Sequence, residues 1–247
     1  MKKAGTAPAL ATRRAAPRRD LSSGKRLQAI MRQLDAWVAQ RGNGKYESTT
    51  FQPMKGYMIP DDAGIQQDRG EIEAFVERLL SRGRLSSVLE VGLGYYGSTH
   101  FLWRQLFDRV MTIEKSHERI RAFGTSMRSF HGRWVLDDGK SAFIIGMSNE
   151  TGTVVKTYQC AADGIDLLFI DGDHQYGSVL TDWLLYSPLV KPGGIVAFHD
   201  AVMNVDGYYG VPEFLDRLSR GAIDGRPRTL ERIVQTPNMG IAFYEQP

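Results

Sequence analysis

The chain of 247 residues is 42% hydrophobic and 24% charged with a net charge of +3, a composition that indicates a globular protein rather than a fibrous or disordered one. No apolar run approaches the roughly 18–20 residues that a bilayer-spanning helix needs, so we expect no contact with a membrane. The single cysteine excludes an intramolecular disulfide and indicates a reducing compartment, which we expect to be the cytoplasm.

The amino-terminal segment, residues 1–24, is predicted to be a basic disordered tail. Eight of the 31 lysine and arginine residues fall within positions 1–26 together with one acid, so the rest of the chain is slightly acidic. A segment rich in alanine, proline and arginine cannot bury enough apolar surface to fold alone. It could stay solvated, contact RNA or another acidic partner, or direct the protein to an organelle.

Residues 25–83 are predicted to form two amphipathic helices around a long loop. The first helix, over 27–41, carries apolar residues at helical spacing and could mediate homo-oligomer contacts. The loop 45–69, with Tyr57, Met58, Gln66 and Gln67, is long for an inert connection and could close over a ligand. The second helix follows this loop and ends at Gly83.

Residues 84–247 alternate short apolar runs with helical patterns, which predicts an α/β domain. We expect strands near 86–91, 109–113, 133–136, 166–170 and 194–198, and helices near 98–107, 116–128, 140–147, 176–189 and 211–220. Two last strands, near 229–235 and 240–245, would form a hairpin and add an antiparallel edge. The predicted fold is therefore a Rossmann-like, mostly parallel sheet with helices on both faces.

A glycine-rich turn follows the first strand, at Gly92, Gly94 and Gly97. Glycines permit a tight turn and the close approach of a ligand to the backbone, and Glu114 ends the next strand where a ribose-binding acid is expected. This spacing is also that of a dinucleotide site, which keeps a nicotinamide oxidoreductase as an alternative. Glu90, inside the strand, disfavours a pyrophosphate and suits a cationic ligand such as a sulfonium.

Two neighbouring strands end in carboxylate and imidazole groups. Asp171 and His174 follow one strand, and His199 and Asp200 follow the next. The carboxyl ends of parallel strands meet at the ligand-binding edge of an open α/β sheet, so we expect these groups to surround one cleft. Groups of this kind can hold a divalent cation and move a proton.

These motifs together resemble class I S-adenosylmethionine (SAM)-dependent methyltransferases. Residues 90–94 are similar to motif I of that family, Glu114 to its acid after the second strand, and residues 191–194 to its turn before the fifth strand. With the two polar strand ends, the chain resembles the metal-dependent O-methyltransferase branch that includes macrolide-sugar methyltransferases and cephalosporin-hydroxylase-like proteins. The resemblance extends from near residue 60 to residue 245 and implies a seven-stranded sheet whose last strand is antiparallel.

The resemblance also implies roles for individual residues. SAM is the expected cofactor, and the residues expected to contact it are Glu90, Gly92, Gly94, Tyr95, Ser98, Glu114, Asp138 and Asp171. A divalent metal, Mg²⁺ or Mn²⁺, is expected on Asp171, His199 and Asp200. His174 is the expected catalytic base. His199 stands where the resembled enzymes usually carry a carboxylate, which shifts the preference from Mg²⁺ towards softer ions such as Mn²⁺ or Fe²⁺.

The predicted function is SAM-dependent methylation of a hydroxyl group on a small molecule, a sugar or another natural product, assisted by the metal. Methylation of RNA ribose, with the basic tail as an electrostatic anchor, is one alternative. A NAD(P)-dependent oxidoreductase is a second. An inactive scaffold with the same fold is a third, which the intact acidic and imidazole groups disfavour.

Overall fold

The computed structural model describes residues 23–41, 44–46, 66–83, 85–202, 209–237 and 239–247. The helices are α1 (Ser23–Val38), α2 (Arg69–Leu80), α3 (Ser98–Leu106), α4 (His117–His131), α5 (Thr151–Cys160), α6 (Tyr176–Tyr186) and α7 (Val211–Ser219). The strands are β1 (Ser87–Val91), β2 (Arg109–Glu114), β3 (Ser141–Ile145), β4 (Ile165–Ile170), β5 (Val190–Phe198), β6 (Glu231–Ile233) and β7 (Ile241–Glu245). Among these described residues, we find no helix that is both long enough and apolar enough to cross a bilayer.

The seven described strands form one sheet in the order β3-β2-β1-β4-β5-β7-β6. Strands β1 to β5 run parallel, and β7 pairs antiparallel with β5 and with β6. Every residue of β1 is buried, as expected of a parallel strand that is covered on both faces. The strand order reverses between β1 and β4, where open α/β sheets form their ligand crevice. The predicted Rossmann-like fold with an antiparallel last strand is thus confirmed.

Helices α1 to α4 cover one face of the sheet, and α5 to α7 cover the other. On the first face, the apolar side of α1 is buried, and Trp37 stacks on Phe101 of α3 with 4.5 Å between ring centroids. This helix therefore packs its apolar residues inside its own chain, and the homo-oligomer contact stays a prediction.

The third strand is where the sequence prediction was wrong. The predicted strand 133–136 gives way to a 3-10 turn at Leu136–Asp138, and β3 instead occupies part of the predicted helix 140–147. The run Ser141–Ile145 contains phenylalanine and isoleucine, which favour a strand. It also gains a parallel partner in β2 that the local pattern does not reveal. Helix α5, which follows β3, was not predicted.

The other predicted helices and strands are confirmed to within a few residues, including α1 and α2. The predicted tail lies outside the described residues except for its last two positions, as does most of the loop 45–69. The division of the folded chain at residues 83 and 84 stays a prediction, because α1, α2 and the sheet contribute to one apolar core.

Candidate active site

The predicted site lies along the carboxyl-terminal edge of the sheet. The glycine-rich turn follows β1, Glu114 ends β2, and the carboxylate and imidazole residues follow β4 and β5. Because β2, β1, β4 and β5 are consecutive neighbours in the sheet, these groups form a continuous row across the position where the strand order reverses.

Two glycines of the turn are required by close packing. Gly92 has a φ of +94°, and a Cβ atom there would lie 2.2 Å from the main-chain oxygen of Asp171. Gly97 has a φ of +60°, and a Cβ atom there would lie 2.3 Å from the ring of Phe123. Both residues therefore allow the turn to fit between β4 and α4, whether or not a ligand is bound.

Gly94 differs from these two glycines. Its φ of +65° is also left-handed, but, its two chain neighbours apart, no atom of the described residues lies within 4 Å of the position that a Cβ would take. The open space on this side of the turn is where the approach of a ligand to the backbone is expected.

The Gly94→Ala variant is expected to bind S-adenosylhomocysteine (SAH), the demethylated product of SAM, about tenfold or more weakly, because the added methyl group fills that space. Gly132→Ala is the matched control, since Gly132 has a φ of +66° and an equally open Cβ position at the end of α4. Calorimetric titration of both variants with SAH tests this prediction. Equal affinities would show that Gly94 does not border the ligand.

Glu114 holds the turn in place from the end of β2. Its Oε2 accepts a hydrogen bond from the amide of Leu93 at 3.1 Å, and its Oε1 accepts one from the amide of Ser116 at 2.8 Å. Arg119 approaches Oε2 to 3.6 Å, and the Arg119 guanidinium lies over the ring of Tyr95 at 4.2 Å. Glu114 and Tyr95 therefore both lie at the turn, and their predicted contacts with the cofactor stay predictions.

Glu90 is directed into the core rather than towards the open edge. Its carboxylate accepts hydrogen bonds from Trp103 Nε1 at 3.1 Å and from the Thr112 hydroxyl at 2.8 Å. Burial raises the pKa of Glu90, and because this effect exceeds the opposite effect of the hydrogen bonds, the pKa is about 8. The side chain supports the turn from the α3 face of the sheet, and a direct contact with a cofactor stays a prediction.

Ser98 and Asp138 have other partners in this structure. Ser98 begins α3, and its hydroxyl accepts a hydrogen bond from Trp37 Nε1 at 3.2 Å. Asp138 pairs with Arg104 at 2.7 Å and precedes β3, so it lies at the opposite edge of the sheet from the glycine turn. The structure therefore does not bring Asp138 together with the other predicted site residues, because β3 begins after it instead of ending before it.

The residues after β4 and β5 form one group, which we call the strand-end cluster: Asp171, His174, His199 and Asp200. His174 Nε2 lies 3.0 Å from Asp200 Oδ2 and 3.8 Å from Asp171 Oδ1. His199 Nδ1 lies 3.3 Å from Asp200 Oδ1 and 3.4 Å from Asp171 Oδ1. The His174 side chain is 28% exposed and that of His199 is 4% exposed, so of the two imidazoles that of His174 is the one open to an incoming molecule.

The cluster consists of mutually stabilised charges. Burial alone would lower the pKa of His174, but attraction to Asp200 and hydrogen bonds to both carboxylates raise it to about 10. The same attractions raise the pKa of His199 well above its ordinary value, against the effect of burial. Burial would raise the pKa of Asp200 and of Asp171, but the neighbouring imidazoles hold both values below their ordinary range. The imidazoles therefore act as counter-ions to the carboxylates.

Asp200 has an unusual backbone conformation that is supported by the β6–β7 hairpin. Its φ of +55° is uncommon for any residue other than glycine. The next residue, Ala201, donates its amide to the carbonyl of Gly240 at 3.0 Å. The amide of Gly240 is in turn bound at 2.8 Å by the buried carboxylate of Glu71 on α2. Helix α2 thus supports the position of Asp200 through the hairpin.

Gln67 joins the strand-end cluster from the residues that precede α2. Its Nε2 donates a hydrogen bond to Asp171 Oδ2 at 3.3 Å, and the residue is only 5% exposed. Within the part of the chain that the structure describes, its Oε1 is buried without a hydrogen-bond partner, as is Nε2 of His199. The sequence indicated Gln67 only as part of a loop that could close over a ligand, and no spacing rule pointed to Asp171 as its partner.

Three residues of the cluster have the spacing that a single cation requires. One donor atom each from Asp171, His174 and Asp200 lies within 4.8 Å of the other two. Two carboxylates with one imidazole suit Mg²⁺ or Mn²⁺, and the nitrogen donor favours Mn²⁺. The donor set therefore fits a divalent cation. The sequence prediction had His199 in place of His174 as the third ligand, and that choice stays a prediction.

A family model described as a methyltransferase domain matches residues 36–201, which include the glycine turn and the strand-end cluster. A curated, uncharacterized protein of Acanthamoeba polyphaga mimivirus is 55% identical over 38 residues, 15% of this chain and 17% of that protein. The match thus spans about a sixth of the length of this relative.

Solved structures of methyltransferases are similar to this chain. A TDP-rhamnose 3′-O-methyltransferase of calicheamicin biosynthesis matches with a TM-score of 0.51 and 13% identity, over 70% of this chain and 76% of its own. An O-methyltransferase from Bacillus cereus in complex with SAH matches with a TM-score of 0.49 and 15% identity, over 90% of this chain and 91% of its own.

Proposed function

Because this chain belongs to a family of SAM-dependent methyltransferases, we propose that it transfers the methyl group of SAM to a hydroxyl oxygen of a small molecule, a sugar or another natural product, with the help of a divalent cation. Family membership excludes the alternative of a nicotinamide oxidoreductase. The alternative of RNA ribose methylation depends on the basic residues before position 23, which lie outside the described residues.

The observation that carries the proposal is the strand-end cluster beside the glycine turn. Oxygen donors from Asp171 and Asp200 and a nitrogen donor from His174 lie within 4.8 Å of one another. A methyltransferase that acts on a neutral hydroxyl needs such groups, because the hydroxyl is a weak nucleophile until its proton is removed.

Methyl transfer to a hydroxyl forms an oxygen–carbon bond as the sulfur–carbon bond breaks, and the hydroxyl proton leaves. A bound divalent cation would lower the pKa of the acceptor hydroxyl. In our proposal Asp171 and Asp200 would hold that cation, which would replace the imidazoles as the counter-ion of the two carboxylates. His174 would then be neutral, and its Nε2 would accept the proton instead of binding the cation. The ring of Tyr209 stacks on His174 with 5.0 Å between centroids and so orients the imidazole. His199, the more buried imidazole, anchors the two carboxylates.

At the other end of the row, Glu114 and the glycine turn would hold the nucleoside part of SAM. Glu114 accepts hydrogen bonds from Leu93 and Ser116, whereas Arg119 at 3.6 Å is too distant for one. A carboxylate offers about four lone-pair directions, so the two bonds leave room for a ribose hydroxyl. The open side of Gly94 provides the surface over which the cofactor would pass.

The test is a methyl-transfer assay that measures SAH released from SAM with panels of sugars, sugar nucleotides, catechols and RNA, with Mg²⁺, with Mn²⁺ and with a chelator. We expect turnover with a hydroxylated small molecule, stimulated by Mn²⁺ and lost with the chelator. Turnover with RNA alone would favour the ribose alternative. Turnover that the chelator leaves unchanged would contradict the metal-assisted mechanism.

A further inference from the structure

We propose that Gln67 binds the α-ammonium group of the cofactor through its side-chain oxygen. The starting observation is that Gln67 Oε1 is buried and has no hydrogen-bond partner among the described residues, although the side chain is fixed by the bond from its Nε2 to Asp171 Oδ2 at 3.3 Å. A buried carbonyl oxygen without a donor is costly, so a partner is expected there. The inference rests on the proposed function, since it assumes that SAM binds at the glycine turn.

The orientation of Asp171 separates the two sides of the site. Both imidazoles approach Oδ1 of Asp171, at 3.4 Å and 3.8 Å, whereas Oδ2 faces the amide of Gln67. The Oδ1 side contains His174 and Asp200, which we assign to the acceptor. Among the described residues, Oδ2 is bound by the neutral amide of Gln67 alone. The negative charge on this side therefore favours a cationic donor over a hydroxyl.

The order of the strands places Gln67 near the amino-acid end of the cofactor. The ribose-binding candidate Glu114 ends β2, and β1 and β4 follow in the sheet before β5. Asp171 at the end of β4 touches Gly92 of the turn, since a Cβ at Gly92 would meet its main-chain oxygen at 2.2 Å. A cofactor whose ribose lies at β2 and whose methyl group points to the acceptor at β5 has its amino-acid part over β1 and β4. Gln67 lies beside that position because its side chain is hydrogen-bonded to Asp171.

The backbone before Gln67 supports a specific role for its side chain. Gln66 has a φ of +57°, a left-handed conformation that is unfavourable for a residue other than glycine. Such strain persists where the surrounding structure requires it, and it is concentrated at ligand-binding positions. In this case the strained residue directs the chain so that the Gln67 side chain reaches Asp171.

The test compares SAH with its deamino analogue, which lacks only the ammonium group, by calorimetric titration of the full chain. Gln67→Met keeps the length of the side chain and removes the oxygen. We expect it to weaken SAH binding about 10- to 100-fold, the range for one hydrogen bond to a charged group. The affinity for the deamino analogue should be unchanged by the substitution. Gln33→Met, at an exposed position on α1, is the matched control and should bind both ligands like the wild type.

Other outcomes would overturn this inference. An equal loss of affinity for SAH and for the deamino analogue would mean that the substitution damages the site in general. Unchanged affinity for both would mean that a buried water, and not the ammonium group, donates a hydrogen bond to Gln67 Oε1. Loss of Mn²⁺ affinity with normal SAH binding would assign Gln67 to the cation. Gln67→Asn, which withdraws the amide by one methylene group, repeats the comparison if thermal unfolding shows that the methionine variant is not folded. Failure of the wild type to bind SAH would instead remove the proposed function itself.

Discussion

Replacing Asp200 with asparagine is expected to weaken Mn²⁺ binding by about 100-fold or more, because loss of a direct carboxylate ligand should exceed the 10- to 100-fold effect of an outer-shell change. Metal-stimulated methyl transfer should disappear with it, while SAH affinity stays near that of the wild type. Asparagine is the informative substitution because it keeps the size of the side chain and tolerates the φ of +55° at this position. Alanine would add backbone strain to the loss of the ligand.

The measurements for Asp200→Asn are calorimetric titrations with Mn²⁺ and with SAH, together with thermal unfolding to show that the variant is folded. Asp173→Asn is the control, since Asp173 is exposed in the same loop and its carboxylate binds the hydroxyl of Ser178. It removes the same charge two residues from Asp171 and should bind Mn²⁺ normally. Equal Mn²⁺ binding by the wild type and Asp200→Asn would exclude Asp200 as a ligand and leave the cluster as a set of ion pairs.

The row of polar groups at the sheet edge could be predicted because each group adjoins a motif that is local in sequence. A buried apolar run followed by Asp171 and His174 identifies both the strand and its carboxyl end, and the same holds for His199 and Asp200. Parallel strands then place the two ends side by side, which the structure reproduces with distances of 3.0 to 3.8 Å. In this case no knowledge of side-chain packing was needed.

The position of Asp138 could not be predicted because it depends on which of two apolar runs pairs with β2. Residues 133–136 and Ser141–Ile145 are both short and apolar, and only the parallel register with β2 decides between them. The wrong choice moves Asp138 from one edge of the sheet to the other. The correct choice leaves it paired with Arg104, so an error of a few residues changes a predicted cofactor contact into a surface ion pair.

The contacts that support the site could not be predicted from the sequence, for a different reason. Glu71 binds the amide of Gly240 across 169 residues of chain, and Gln67 binds Asp171 across 104. Neither contact has a spacing that a local pattern can indicate. A glutamate near the start of an amphipathic helix normally suggests a solvated position, and its burial follows only from the packing of α2 against the hairpin.

Gly92→Ala is expected to destabilise the folded chain by at least about 3 kcal/mol, as the sum of left-handed backbone strain and a steric overlap. The overlap cannot be relieved locally, because the added Cβ would lie 2.2 Å from a main-chain oxygen of Asp171. Both sides are also held by hydrogen bonds, Gly92 to the carbonyl of Ile113 at 2.9 Å and Asp171 to that of Val91 at 3.0 Å. Chemical denaturation measures the change, and Gly132→Ala, with strain but no overlap, should cost only about 1 kcal/mol. An equal loss of unfolding free energy in both variants would show that the backbone at the end of β4 shifts to accommodate the methyl group. The turn would then not depend on glycine at this position.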